Sequence, residues 1–227
     1  RLASRALDRG VRGGVMSKSS AECFQRELLS RMAAIGSLEG SEEKGVEGVL
    51  EPDVMMEQVH RVRGGMLFEL AFIAPRLLEV PVDPRQLSRA QAAISKLGTA
   101  FQIVDDLTDF EFDLTRGSHN LLVSQITHCG SAEEQRRLRA LGGRPPGAGD
   151  VVAEMFPDSG RGVIERGGKE AREALEELQS LGFWFPPALS GHLAYHDWGP
   201  RGFTGEVLVV LDDDRETLER HFESVER

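Results

Sequence analysis

Apolar residues recur at helical spacing through most of the chain. The first such stretch follows Ser19 and Glu22, which have the spacing of a capping box, and Gly36 supplies a stop signal after it. Its apolar positions are Phe24, Leu28, Met32 and Ile35. The pattern predicts a helix that begins near Ser19 and ends at Gly36, followed by an acidic, glycine-rich loop over 39–51.

Two longer amphipathic helices are predicted next. One begins at about Asp53 and ends before Pro75, with its apolar stripe at Met55, Val59, Val62, Met66, Leu70 and Ile73. The other has Asp83 as its cap and Pro84 in the first position, where a missing N–H is not needed. We expect this second helix to run into an acidic stretch that ends near Asp113. The residues expected on its buried face are Leu87, Ala90, Ile94, Leu97 and Phe101.

The remainder of the chain predicts shorter elements. Ser131 and Glu134 form another capping box, Gly142 ends that helix, and a loop follows over 142–150. A further helix is predicted over Lys169–Leu181, with Gly182 after it. The segment 205–211 has the pattern of a short strand, and 215–226 that of a last helix. The elements together predict an all-α fold in a single domain over 1–227, with one short strand near the C-terminus.

Composition excludes some classes of function. The formal net charge is −10, with 37 acidic against 27 basic residues, which argues against a nucleic-acid-binding surface and is compatible with a divalent metal site. Cys23 and Cys129 lack metal-ligand spacing and are expected to be reduced thiols. No apolar run is long enough for a transmembrane segment, and we expect a cytoplasmic protein.

Three aspartates stand out near the end of the second long helix. On a helix, Asp105, Asp106 and Asp109 fall within an arc of about 100°. Carboxylates this close repel one another unless a cation lies among them, and Mg²⁺ suits them because it takes one or two carboxylates and bridges to phosphates. A solvated acidic helix end is the simpler alternative. That alternative does not explain why Asp105 and Asp109 continue the face of Phe101.

The nine residues 101–109, FQIVDDLTD, resemble the second aspartate-rich motif of the trans-polyprenyl (isoprenyl) diphosphate synthases, F-Q-x-x-D-D-x-x-D. The resemblance implies an isoprenoid-synthase helical bundle around a central pocket, between the helices at 53–74 and 84–110. It implies a Mg²⁺-dependent transferase that condenses an allylic prenyl diphosphate with isopentenyl diphosphate, and we expect a homodimer. The implied metal ligands are Asp105, Asp106 and Asp109. Asp105, Asp106 and Gln102 would be catalytic, and Phe101 would line the pocket.

Two weaker matches flank this motif. Arg63 and Gly64 occupy the place of the family's K-T-x-x-L-F, so Arg63 would contact diphosphate, whereas Gly64 loses the threonine hydroxyl. A helix–helix contact is the alternative reason for the Gly64–Gly65 pair. Downstream, 113–122 resembles D-L-x-x-G-K-x-T-L-P, with Ser118, Asn120 and Leu122 as departures. The lost lysine leaves Arg116 or His119 as the implied diphosphate contacts.

The family's first aspartate-rich motif is not found before residue 98, and the chain opens with Arg1 rather than Met. We therefore expect the sequence to be N-terminally incomplete, and the enzymatic prediction depends on a first motif upstream. The acidic cluster at 212–216 is interpreted as a helix start rather than a metal site. A catalytically silent homologue that binds prenyl diphosphate or modulates a partner synthase is the alternative. A terpene cyclase of the same fold is third, since such cyclases usually carry another motif at this place.

Overall fold

The computed structural model describes residues 2–78, 83–147 and 151–183, together with four short strand segments further on. The described residues between 2 and 183 form helices and no strand, which confirms the all-α class. The first half contains α1 (Leu2–Arg12), α2 (Lys18–Ser41), α3 (Pro52–Met55), a π-helix (Met56–Gly65), α4 (Met66–Glu69), a 3₁₀ turn (Leu70–Phe72) and α5 (Ile73–Leu78). The second contains α6 (Pro84–Thr108), α7 (Phe110–Arg116), α8 (Leu121–Cys129), α9 (Ala132–Leu141), α10 (Val152–Met155) and α11 (Pro157–Ser180).

The four strands form two antiparallel ribbons of two strands each. β1 (Gly191–Ala194) pairs with β4 (Leu208–Leu211), and β2 (Trp198–Gly199) pairs with β3 (Gly202–Phe203). The predicted strand at 205–211 is therefore found over its last four residues. The predicted helix at 215–226 lies outside the described residues.

Helix α2 departs from its prediction at both ends. Ser17, not Ser19, is the N-cap and accepts a hydrogen bond from the Ser20 amide, and the helix passes through Gly36 to Ser41. A helical glycine costs about 1 kcal/mol, and tertiary contacts offset this. Leu38 packs against the main core, and Glu39 pairs with Arg63. The stripe was also wrong at Met32, which is exposed.

The segment from Pro52 to Leu78 is one continuous helical path with four changes of pitch. Pro75 does not end it, because the 3₁₀ turn before α5 places Pro75 in the first turn of α5, where its missing N–H is not required. Met55, Val59 and Ile73 are buried as predicted. The π-helix was not predicted.

Helix α6 lies at the centre of the fold, against the π-helix and α4 on one side and α11 on the other. Asp83 caps it, as predicted, by accepting a hydrogen bond from the Arg85 amide. The predicted buried face was wrong in part, because Phe101 is 46% exposed while Ile103 and Leu107 are buried. The physical reason is that α6 is covered on two sides, so its apolar stripe does not follow one heptad face.

The remaining helices enclose the core. The capping box of Ser131 and Glu134 and the left-handed Gly142 at the end of α9 are confirmed. Helix α11 begins at Pro157, well before the predicted Lys169. Its first half is rich in glycine, which does not favour a helix, and packing on α6 stabilises it. The buried residues of the main core come from α3, the π-helix, α6, α7, α8, α10 and α11. These residues are Met55, Val59, Ile103, Leu107, Phe110, Leu121, Leu122, Ile126, Val152, Phe156 and Val163.

Candidate active site

A polar cavity of about 150 Å³ opens where the C-terminal end of α6 meets α2, the π-helix and α7. Acidic side chains dominate its wall, with two arginines among them. The lining residues are Glu39, Glu42, Arg63, Gln102, Asp105, Asp106, Asp109, Phe112, Asp113, Arg116 and Ser118. The structure therefore brings the three predicted metal-ligating aspartates together with Gln102, Arg63 and Arg116.

The three aspartates do not have equal access to the cavity. Asp105 and Asp109 are exposed, whereas Asp106 is only 1% exposed. Asp109 lies between α6 and α7, and its amide donates to the Asp105 carbonyl, which keeps the two residues one helical turn apart. Burial, and then the charges of Asp105 and Asp106, raises the pKa of Asp109 above its ordinary value. Asp105 and Asp109 are thus the carboxylates with room for a further ligand.

Asp106 is a hydrogen-bond centre inside the protein. Its Oδ2 atom accepts from His60 Nε2 at 2.8 Å and from the Leu121 amide at 2.5 Å. Its Oδ1 atom lies 3.4 Å from Gln102 Nε2, which donates at 2.9 Å to Asp105 Oδ2. These contacts leave Oδ1 as the less occupied oxygen of Asp106.

A fourth aspartate, Asp113, also lines the cavity. Burial raises the pKa of Asp113 to about 7, helped by the charges of Asp106 and Asp109 and opposed by the hydrogen bond from Asn120. That bond runs from Asn120 Nδ2 to Asp113 Oδ2 at 2.9 Å, and the same nitrogen donates to the Asp106 carbonyl at 2.6 Å. Asn120 also caps α8, since its Oδ1 accepts from the Leu122 amide.

Arg63 is held by two carboxylates of α2 and its end. Its Nη2 lies 2.7 Å from Glu42 Oε1, and its Nε lies 2.5 Å from Glu39 Oε1. Burial lowers the pKa of Arg63, but Glu42 and Glu39 more than offset this, so the net shift is upward. Arg63 is therefore a permanent cation on the cavity wall whose counter-charges are already in place.

The adjacent glycines serve the contact between helices. A Cβ added at Gly64 would lie 2.2 Å from the Gly98 carbonyl oxygen, and one added at Gly98 would lie 2.4 Å from that of Gly64. A Cβ at Gly65 would meet Ser95 Oγ at 2.7 Å. The backbones of the π-helix and α6 thus touch, which is the helix–helix contact considered as the alternative for the glycine pair.

The other predicted substrate residues lie around the cavity or outside it. Arg116 lines it, with its guanidinium carbon 5.9 Å from the centre of the Phe112 ring. His119 does not line it: its amide donates to Glu42 Oε2, and burial lowers the pKa of its imidazole. Phe101 also lies outside the cavity wall and stacks on Phe68 at a ring-centre distance of 5.4 Å.

Several residues of the site were missed at the sequence level. The sequence pattern predicts a loop for Glu39 and Glu42, whereas Glu39 lies in α2 and Glu42 caps its end. Both carboxylates pair with Arg63, whose largely buried charge requires partners close by. Nothing in the sequence pointed to His60, because a single histidine in an amphipathic segment carries no ligand spacing.

Among the described residues, no three His, Cys, Asp or Glu side chains form a ready-made cation site. Of the three motif aspartates on the cavity wall, Asp105 and Asp109 are accessible, and Mg²⁺ takes one or two carboxylates when water and phosphate oxygens complete its coordination. None of the helices in the described part of the chain is long and apolar enough to cross a bilayer. Comparison with protein-family models, curated proteins and solved structures returns no match for this chain.

Proposed function

We propose that this chain is a magnesium-dependent prenyltransferase of the trans-polyprenyl diphosphate synthase family and carries the diphosphate-binding half of the site formed by the second aspartate-rich motif. The proposal extends the resemblance of 101–109 to the geometry of the cavity. It takes the helices around α6 as part of an isoprenoid-synthase bundle, with a homodimer as the expected assembly. The substrates would be an allylic prenyl diphosphate and isopentenyl diphosphate.

The observation that carries the proposal is the charge of the cavity. Its wall contains six carboxylates and two guanidinium groups, so full ionisation leaves an excess of four negative charges. Such a wall repels a free anion and attracts a divalent cation, and it accepts a diphosphate only together with cations. A solvated acidic helix end does not require the two arginines that line the same cavity.

Five residues of the wall have a definite task in this proposal. Asp105 and Asp109 would hold Mg²⁺, which when bound neutralises charge on the leaving diphosphate. Arg63 and Arg116 would contact phosphate oxygens, and Gln102 would keep the Asp105 carboxylate oriented through its bond to Oδ2. These residues would fix the position of the diphosphate before any bond breaks.

The resemblance implies the condensation of an allylic prenyl diphosphate with isopentenyl diphosphate. The allylic C–O bond breaks, and the diphosphate leaves with the electron pair. The double bond of isopentenyl diphosphate then forms a C–C bond to the allylic carbon, and a proton is lost from the new chain. By the resemblance, ionisation also needs a first aspartate-rich motif, which is not found before residue 98.

A silent homologue that binds prenyl diphosphate is the second candidate. The observation in its favour is that Arg63 already has two carboxylate partners and that Gly64 is occupied by a backbone contact rather than open to a ligand. Ser118, in place of a lysine, removes a further cation from the cavity wall.

Binding and transfer separate the two candidates. We expect Mn²⁺ to bind the wild-type chain more tightly with inorganic diphosphate than without it, as measured by isothermal titration calorimetry. Asp105→Asn should weaken this binding, and Glu111→Gln, an exposed acid outside the cavity, is the matched control. Equal binding by all three proteins would refute the site.

Transfer is then measured with radiolabelled isopentenyl diphosphate and allylic primers of several lengths. Mg²⁺-dependent incorporation into an extracted prenyl product supports the enzyme. Cation and diphosphate binding without incorporation from any primer supports the silent homologue.

A further inference from the structure

His60 is the residue of the π-helix that reaches the aspartate cluster. Its side chain is fully buried, and its Nε2 atom lies 2.8 Å from Asp106 Oδ2. The carboxylate oxygen has no hydrogen to give, so the hydrogen of this bond belongs to Nε2. The other ring nitrogen, Nδ1, lies 3.4 Å from Met56 Sδ. A buried imidazole with a single strong acceptor has little rotational freedom.

The bond from His60 fixes which oxygen of Asp106 faces the cavity. The Oδ2 atom accepts from both His60 Nε2 and the Leu121 amide, and two donors from different helices define the plane of the carboxylate. The Oδ1 atom then points towards Gln102, with only a long contact of 3.4 Å to it. Gln102 in turn donates to Asp105. A chain of contacts therefore runs from His60 through Asp106 and Gln102 to Asp105.

The local fold is built to bring His60 to this place. The π-helix closes its hydrogen bonds from residue i to i+5, so residues four and five positions apart share a face. His60, Gly64 and Gly65 are such residues, and all three are buried. The glycines allow the backbone to touch α6 at Gly98, and the antiparallel course of the two helices then sets His60 opposite Asp106.

We propose that His60 is a positioning residue of the site, which orients the Asp106 carboxylate and, through Gln102, the cation-binding carboxylate of Asp105. This inference rests on the proposed function of the cavity as a cation–diphosphate site. Residues that hydrogen-bond to metal-binding groups typically change metal affinity about 10–100-fold when they are replaced. His60 does not touch the ligand, so its effect has to pass through Asp106.

The test compares three variants of the whole chain with Mn²⁺ and inorganic diphosphate as probes, by calorimetry and by the electron paramagnetic resonance of bound Mn²⁺. His60→Leu removes the donor, and we expect it to weaken Mn²⁺ binding in the presence of diphosphate about 10–100-fold. His60→Gln places an amide hydrogen where Nε2 was and should lie closer to wild type. Met56→Leu changes the other neighbour of the ring at nearly constant volume and should bind as wild type does.

The outcomes separate this inference from the proposal on which it rests. Wild-type protein that binds no Mn²⁺ overturns both. Wild-type binding that is unchanged in a folded His60→Leu variant overturns only the positioning role. Where His60→Leu does not fold, His60→Asn, whose shorter amide does not reach Asp106, takes its place against His60→Gln. Equal affinities of that pair overturn the inference, and a selective loss in His60→Asn supports it.

Discussion

Glu134 holds the starts of two helices at once, which makes its replacement the sharpest test of the fold. The side chain is 2% exposed. Its Oε1 accepts from the amides of Asp158 and Ser159 in the first turn of α11, each at 3.1 Å. Its Oε2 accepts from the Ser131 amide at 3.1 Å and from Ser159 Oγ at 2.9 Å. No side chain of its own segment caps α11, so α11 depends on this carboxylate from α9.

The loss in free energy of unfolding can be worked out for the substitution Glu134→Gln. The amide oxygen can keep the two α11 amides, but the NH₂ group then faces the Ser131 amide, which loses its acceptor. An unsatisfied buried donor costs about 1–3 kcal/mol, and hydrogen bonds to a neutral acceptor are weaker than those to a charged one by about 1 kcal/mol. Release of the buried charge from its desolvation penalty offsets part of this. We expect Glu134→Gln to lower the free energy of unfolding by about 2–3 kcal/mol.

The effect should depend on pH. Burial favours the neutral acid, but the hydrogen bonds from Ser159, Ser131 and Asp158 outweigh it and hold the pKa of Glu134 below its ordinary value. A group with a depressed folded pKa stabilises the protein fully above its unfolded pKa of about 4.3. That stabilisation is lost as the pH falls through the folded pKa. The difference between wild type and Glu134→Gln should therefore be largest near neutral pH and shrink in acid.

The assay is urea denaturation followed by circular dichroism, at neutral pH and below about pH 4. Glu133→Gln is the matched control, because Glu133 is the neighbouring acid, is half exposed and pairs with Arg137 on the surface. We expect that control to cost less than about 1 kcal/mol. A Glu134→Gln protein as stable as the control, or a difference that does not narrow in acid, would refute the reasoning.

Three further predictions concern the helix contact and the cavity. Gly98→Ala should lower the melting temperature, because its Cβ would lie 2.4 Å from the Gly64 carbonyl oxygen. Gly36→Ala should raise the free energy of unfolding by about 1 kcal/mol, because its Cβ would meet no other described part of the chain within 4 Å. Thermal melts of the two variants check this, and equal effects would contradict the backbone contact. Asp113 has a pKa raised to about 7, so it binds a proton on folding, and the cation-free protein should lose stability as the pH rises towards that value. In Asp113→Asn, the melting temperature of the cation-free protein should depend less on pH over the same range. An unchanged pH dependence would mean that another group causes it. Asp105→Ala should leave the circular dichroism unchanged, slightly stabilise the cation-free protein by relieving repulsion, and reduce prenyl transfer by orders of magnitude if the intact protein is catalytic. Unchanged turnover would exclude a cation-binding role for Asp105.

Features encoded within a few residues were the ones that sequence reasoning found. The caps at Asp83 and Ser131 and the left-handed stop at Gly142 each depend on one side chain or one φ angle and its immediate neighbours. The clustering of Asp105 and Asp109 followed from helical periodicity alone. Such features need no knowledge of what packs against them.

Features decided by a distant partner were missed. Gly36 does not stop α2, because contacts of Leu38 and Glu39 with other helices carry the helix past it. Glu134 was recognised as half of a capping box, but its second role at α11 depends on residues far along the chain. His60 is identifiable only once the π-helix has set it against Asp106.

The π-helix makes the length of this segment matter independently of its composition. Its wider turn is equivalent to an α-helix with an extra residue inserted, and the orientations of His60 towards Asp106 and of Arg63 towards Glu42 both depend on that insertion. Deleting one residue between them leaves His60 and Arg63 two residues apart instead of three, which changes the angle between their side chains about the helix axis. Arg61 illustrates the difference, since its side chain is 57% exposed and its ion pair within the described residues is with Glu57. Replacing Arg61 should be tolerated. Deleting it should leave the helix unbroken but turn His60 and Arg63 away from their partners Asp106 and Glu42.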